Sequence, residues 1–419
     1  MNERDAVVWL HRACGFGLPP NDLDRAVERG AAAELDRLLD PTGAGAPPPD
    51  LWDDSLLPLD PMDRDARVHA IGAWLVGMAA TEQPMVERVG WLLHGHLVSA
   101  LDKVRLARLM VNQIRLLRAE AMGDYRALLR AITIDPAMLV YLDLRTSTGD
   151  EPNENYAREL LELFALGEGN YTEDDVRAAA AALTGWTLRP QAGVRFAAEL
   201  HDDSPRTLLG VEGVHDLDTV IAAVTAHPAM PGFVASSFAG ELIGTTEGEG
   251  VAAAGAAFAD SGFLLRELVR TLAQEGLAGR ANDLVLAPVA WLVQALRVCG
   301  AGVPTNTAGR FAQMLRDAGQ IPMLPPNVSG WPSGEAWFGA GELVARANLA
   351  AMVARRATDE RVLDAAAGDD PQLLAATLGL PSSGFAEGTS AALEQAPPGP
   401  DRLAVALFSP EFLIVEAPR

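Results

Sequence analysis

Residues 152–186 read PNENYARELLELFALGEGNYTEDDVRAAAAALTGW. The stretch spells helix, tight turn, capped helix. Pro152 suits a helix start, because its missing N–H has no intrahelical partner there. At about 100° per residue, Tyr156, Ala157, Leu160, Leu161, Leu163 and Phe164 gather on one arc, and Glu154, Asn155, Arg158, Glu159 and Glu162 on the other. Arg158 stands four residues from both Glu154 and Glu162, so it is expected to sit between two carboxylates. Asn155, Glu159 and Glu162 share a face. Gly167 is a natural stop, since glycine accepts positive φ after the last turn. Thr172 with Asp175 three residues later resembles a capping box that starts the next helix. A solvated polar face is the plainest account of the first helix.

Helical periodicity continues outward in both directions. Helices are expected over about 3–14, from Asn21 or Asp22 to Leu39, over 63–80, from Thr81 as N-cap through the 94–96 histidines, and in two short pieces broken before Pro136. Further helices are expected within 217–242 and over 251–276, 283–299, 305–318 and 341–357. The segment 187–213 alternates short β-prone runs with Gly, Pro and Asp, and predicts a small hairpin or irregular excursion. Residues 40–62 read as a long surface connection, and 322–337 as a stiff Pro/Trp loop. The predicted fold is mainly α, a large multi-helix orthogonal bundle. A principal domain is expected over 1–380, with a linker and short helical tail over 381–419.

Bulk properties narrow the function. The chain has 419 residues, of which 49% are apolar, so a large core is available; its net charge of −23 disfavours nucleic acid as a partner. Cys14 and Cys299 form no CxxC pair. No signal peptide and no run of eighteen or more apolar residues is seen, so a cytoplasmic chain without a transmembrane segment is expected. Phosphate-cradling and nucleophile-elbow motifs find no suitable context.

Three polar groupings invite chemistry. His94 and His96 lie in LLHGHL. On a helix they stand about 200° apart, with His96 toward Met85, Val89, Leu92 and Leu93, and His94 toward Glu87 and Trp91. His96 is therefore expected to face an apolar interior and His94 a more polar boundary. His201 and Asp202 open a loop, HDDSPRTLLG. If these groups converge with Glu159 and Glu162, then His94, His96, Glu159, Glu162 and His201 offer a ligand set for a divalent transition metal. Without a metal, Glu159 as base beside Arg158, with His201 and Asp202, is the alternative catalytic set. Asn153, Glu154, Asn155 and Trp331 are candidate pocket residues. The pattern is compatible with hydrolysis and with oxidation at a bound metal. It is equally compatible with a non-catalytic scaffold or partner-binding protein whose polar helix face is a structural network.

Several segments together resemble one family. The 152–186 stretch, HRACGFGLPPNDLD from His11, LLHGHLVSALDKV from Leu92, HDDSPRTLLG, LAPVAWLVQALR from Leu286 and PPNVSGWPSGEAW from Pro325 follow the order of the bacterial domain of unknown function 1800 family, from about Trp9 to Asn348. Asn153, Glu154, Asn155, Arg158, Glu159, Glu162, His201, Asp202, Gly330 and Trp331 match its pattern, which implies one shared polar site. The family pattern is similar to Trp-His-Asn-His-Phe where this chain has Leu93, His94, Gly95, His96 and Leu97, so the aromatic flanks are lost. The resemblance also implies relatives that look exported, and a nearby-encoded partner related to sulfatases and alkaline phosphatases. It supplies no reaction.

Overall fold

The computed structural model describes all residues except 41–45, 47–48, 190–192, 304–306 and 419. Helix accounts for 62% of the chain and every sheet among the described residues has two strands, so the fold is mainly α as expected. One contiguous apolar core runs from Trp9 to Val415. No single described helix is long and apolar enough to cross a membrane. One bent apolar pair, Leu217–Ala226 with Met230–Leu242, meets at 79° and sends its apolar residues into this core.

Local chemistry sets the helix ends. Asn2 caps Glu3–Cys14 and Asp63 caps Arg64–Ala80, each by accepting a backbone N–H in the first turn. The single helix expected up to Leu39 is two, Pro20–Arg29 and Ala31–Leu39, because Gly30 takes φ 84° between them. The histidine helix is Pro84–His96; Thr81 ends the preceding helix, and its hydroxyl accepts from Gln83 N. Tyr125–Thr133 and Pro136–Tyr141 are the two short pieces expected around Pro136. The helix expected over 305–318 is Ala308–Asp317; positions 305 and 306 lie outside the described residues.

The irregular excursion is two hairpins. Trp186–Arg189 pairs with Gly193–Phe196, and Arg206–Leu208 with Val211–Val214; the first turn, 190–192, lies outside the described residues. Part of the expected 40–62 loop likewise does. The described remainder anchors at Trp52, whose indole N–H donates to the Ala70 carbonyl (2.8 Å) under the Arg115 and Arg118 guanidinium groups.

The residues beyond 381 carry a helix, Glu387–Gln395, within the expected linker, then Pro400–Leu407 and Pro410–Leu413. They bury Leu403, Leu407, Phe412 and Val415 in the main core. Ile414–Val415 pairs with Leu284–Val285. The buried Arg12 guanidinium donates from Nη2 to the carbonyls of Glu411, Phe412 and Ile414 at 2.9–3.1 Å.

Candidate functional site

The 152–186 stretch keeps its Gly167 stop and its Thr172 cap, but its first helix starts at Asn155 rather than at Pro152, and its pitch changes. Asn153 Oδ1 accepts the Asn155 N–H (2.9 Å) ahead of the helix. Residues Asn155–Glu159 are α-helical and Leu160–Leu166 are π-helical. The helix closes with Gly167 N donating to Glu162 O, five residues back, and Gly167 at φ 80°. Thr172 and Asp175 form the capping box. The arginine does not bridge the two expected carboxylates. Arg158 holds Glu154 (3.2 Å) and, from the next helix, Glu173 (2.7 and 2.8 Å). The wider π turn takes Glu162 out of the α register, and it accepts from the Tyr171 hydroxyl instead.

The 201 loop docks beside this stretch, not on the histidine helix. His201 Nδ1 donates to the Thr184 carbonyl (3.0 Å). Asp202 N donates to Thr184 Oγ1 (2.9 Å), and Asp202 pairs with Arg206. Gly149 N donates to Leu200 O (2.8 Å), tying the loop to the turn before residue 152. Asn155 reaches toward Asp143, which Lys103 pairs at 2.8 Å. Glu159 is half-buried; burial raises its pKa, the neighbouring Glu162 adds to that, and Arg158 opposes it.

The expected convergence on a metal is corrected. Among the described residues, no three His, Cys, Asp or Glu side chains are grouped to hold a metal ion. His94 is fully buried and ringed by Trp74, Trp91 and Trp331 at centroid distances of 5.3, 6.1 and 5.4 Å. Neither of its ring nitrogens has a hydrogen-bond partner among the described residues. The polar boundary expected on its side is an interior, because Glu87 is itself buried between Trp74 and Arg118.

His96 is the histidine that meets a cavity. A space of about 240 Å³ lies between the histidine helix, Leu163 of the π turn, helix Met230–Leu242 and the Pro/Trp loop. Trp91 and Trp331 stack at 4.9 Å along one wall, and the Trp331 indole N–H is buried without an acceptor among the described residues. At the other side, His96 Nε2 lies 3.1 Å from the Phe164 carbonyl and 2.9 Å from the Tyr125 hydroxyl. That hydroxyl already donates to Phe164 O (2.7 Å). A carbonyl only accepts, and the tyrosine proton is spent, so Nε2 carries the imidazole proton. Nδ1 is then an acceptor, and Ser237 Oγ stands 3.3 Å from it. Glu241, one turn beyond Ser237, also lines the cavity, 3.7 Å from Arg88. Phe164 O belongs to the last turn of the π segment, where no helical N–H reaches it; His96 and Tyr125 satisfy it.

Burial pushes His96 down to about 4 and His94 down to about 3. Both imidazoles are therefore neutral near pH 7. The unfolded chain, with histidines near 6.5, binds more protons between these limits. The stability contribution is thus full above about pH 6.5 and is lost as pH falls toward 3–4. For His94 this is on the order of 5 kcal/mol. A melting-temperature series from pH 7 to 4 is expected to fall more steeply for the wild type than for His94→Leu. Parallel curves would refute this assignment.

Phe233, Ser237, Glu241 and Tyr125 escape a motif search. The first three recur every four residues along Met230–Leu242, a row that reads as an ordinary helix face until its neighbours are known.

The chain matches the family model described as a protein of unknown function (DUF1800) over residues 9–414. The chain belongs to this family. No curated protein and no solved structure matches it. Within the family pattern, the position between the two histidines is Gly95 here, and its Cα side packs on the Trp331 ring: a Cβ would lie 3.7 Å from it.

Proposed function

We propose that the His96 cavity is the working site of a hydrolytic enzyme acting on a small ester- or amide-like substrate. The carrying observation is the Ser237 Oγ to His96 Nδ1 approach of 3.3 Å, with the opposite ring nitrogen held by the Phe164 carbonyl and the Tyr125 hydroxyl. This is the order nucleophile, base, orienting group. In the proposed cycle Ser237 Oγ attacks the carbonyl carbon and its proton passes to Nδ1. The imidazolium returns the proton to the leaving group, and water repeats the sequence to free the acyl group. The stacked tryptophans and Leu163 supply an apolar wall, and the Trp331 N–H an unused donor in the same wall. Arg158, Glu159, His201 and Asp202 then act by holding the motif and its loop.

A second reading has one observation in its favour. His96 and Tyr125 cap a helix-end carbonyl, work that a non-catalytic scaffold or a protein docking a partner needs equally. A serine-directed fluorophosphonate label separates the two. The wild type is expected to gain one adduct at Ser237, and His96→Gln to label at least tenfold more slowly. Ser237→Ala should melt like the wild type and take no label. Labelling of Ser237→Ala at the wild-type rate, or no labelling of the wild type, refutes the hydrolase.

A further inference from the structure

A second cavity, about 430 Å³, lies between helix Pro20–Arg29 and the chain entering the histidine helix. In a chain with 33 Lys and Arg against 56 Asp and Glu, four arginines line it: Arg25, Arg29, Arg37 and Arg297. The carboxylates on its wall are Asp22 and Glu82. Asp22 is paired with Arg25, and Glu82 accepts from the Ala46 N–H.

Beneath the floor, Glu34 is fully buried and saturated. It accepts from His11 Nε2 (2.9 Å), Arg29 Nε (2.7 Å), and Arg37 Nη2 and Nε (2.6 and 3.0 Å). The four donors use both oxygens, so Glu34 works as a clamp that fixes two guanidinium planes at the cavity. Among the described residues Arg29 is held through Nε, and its two terminal nitrogens have no acceptor there. Arg297 has no carboxylate partner among the described residues. Its Nη1 donates to the carbonyls of Ala79 (3.1 Å) and Thr81 (2.8 Å), and its buried Nε has no acceptor there either. Burial lowers its pKa to about 10, and the charge of Asp22 on the same wall opposes this only in part.

We infer that this cavity binds a phosphorylated small molecule, with Arg29 and Arg297 taking the phosphate oxygens and Arg25 at the rim. Guanidinium forks match phosphate oxygens two at a time. The cavity is larger than a phosphate group, and Leu18, Pro19 and Pro84 offer an apolar wall for the rest of the molecule. The site is separate from the Ser237 cavity and does not rest on it.

Calorimetric titration of the full chain with pyrophosphate and with inorganic phosphate, against sodium chloride at matched ionic strength, tests this. Saturable binding is expected for pyrophosphate, weaker for phosphate, and none for chloride. Arg25→Gln, an exposed change, and Arg29→Gln should each weaken pyrophosphate binding about tenfold. Arg297→Lys keeps the charge, loses the fork and should also weaken binding, while Ser237→Ala should bind like the wild type. No saturable binding beyond chloride, or Arg25→Gln and Arg29→Gln both binding like the wild type, overturns the site; so does loss of binding in Ser237→Ala.

Discussion

Glu87→Ala is expected to cost the fold about 3–5 kcal/mol, the range for breaking a buried ion pair from one side. Glu87 has no exposed surface. One oxygen accepts from the Trp74 indole (2.8 Å), the other from Arg118 Nε (2.9 Å) and Nη2 (2.8 Å). Removing the carboxylate leaves Arg118 almost wholly buried with one remaining acceptor among the described residues, the Pro49 carbonyl at 3.2 Å. It also strands the Trp74 N–H and opens a void. Glu87→Gln keeps the volume and one acceptor for the indole, and should lose less. Because Glu87 joins helix Pro84–His96 to helices Arg64–Ala80 and Ala107–Ala119, the loss should move the whole melting transition. Denaturant midpoints of the two variants check this. Equal midpoints for Glu87→Ala and the wild type would remove Glu87 from the role given to it.

Gly330→Ala is expected to cost about 2–4 kcal/mol and to loosen the cavity wall. Gly330 has φ 85°, which an L residue with a Cβ adopts only at a cost. A Cβ there would also drive into the Gly95 carbonyl oxygen, backbone against backbone, with no flexible side chain to yield. The Pro/Trp loop would lift from the histidine helix and carry Trp331 off Trp91. Near-ultraviolet circular dichroism should lose the contribution of the stacked pair, and fluorophosphonate labelling of Ser237 should change with it. Gly334→Ala separates the two causes. Gly334 has φ 60°, but an added methyl would meet no described atom within 4 Å, so it should show the conformational cost alone, about 1 kcal/mol. Equal losses at 330 and 334 would deny the close approach.

The sequence carried most of what is local. Thr172 with Asp175, and Gly167, announce helix ends through their own side chains or backbone freedom, and the structure uses them so. Gly30 ended a helix that periodicity alone ran through. What stayed hidden depends on neighbours from elsewhere in the chain. The π pitch after Glu159 is accompanied by outside donors to Phe164 O, Tyr125 from 39 residues earlier and His96 from 68. That pitch sends Glu162 to Tyr171 and leaves Arg158 to Glu173. His94 lies on a side that looks polar by sequence, but Arg118 neutralises Glu87 and Trp331 covers the ring, so that side is core. Ser237 becomes a candidate only when His96 is seen across the cavity from it.

The seat of Arg12 has a consequence for synthesis. Its guanidinium is buried on carbonyls that lie 399 to 402 positions later in the chain. At ribosomal rates of about 5–20 residues per second, roughly 20–80 s separate the arginine from its acceptors. Throughout that interval the first helix carries a charge whose burial has nothing to offset it, so water must keep that end of the helix. The N-terminal helix is thus made early and seated late, and a nascent chain arrested before residue 411 should leave it open to proteases or chaperones while the middle of the bundle is still gathering.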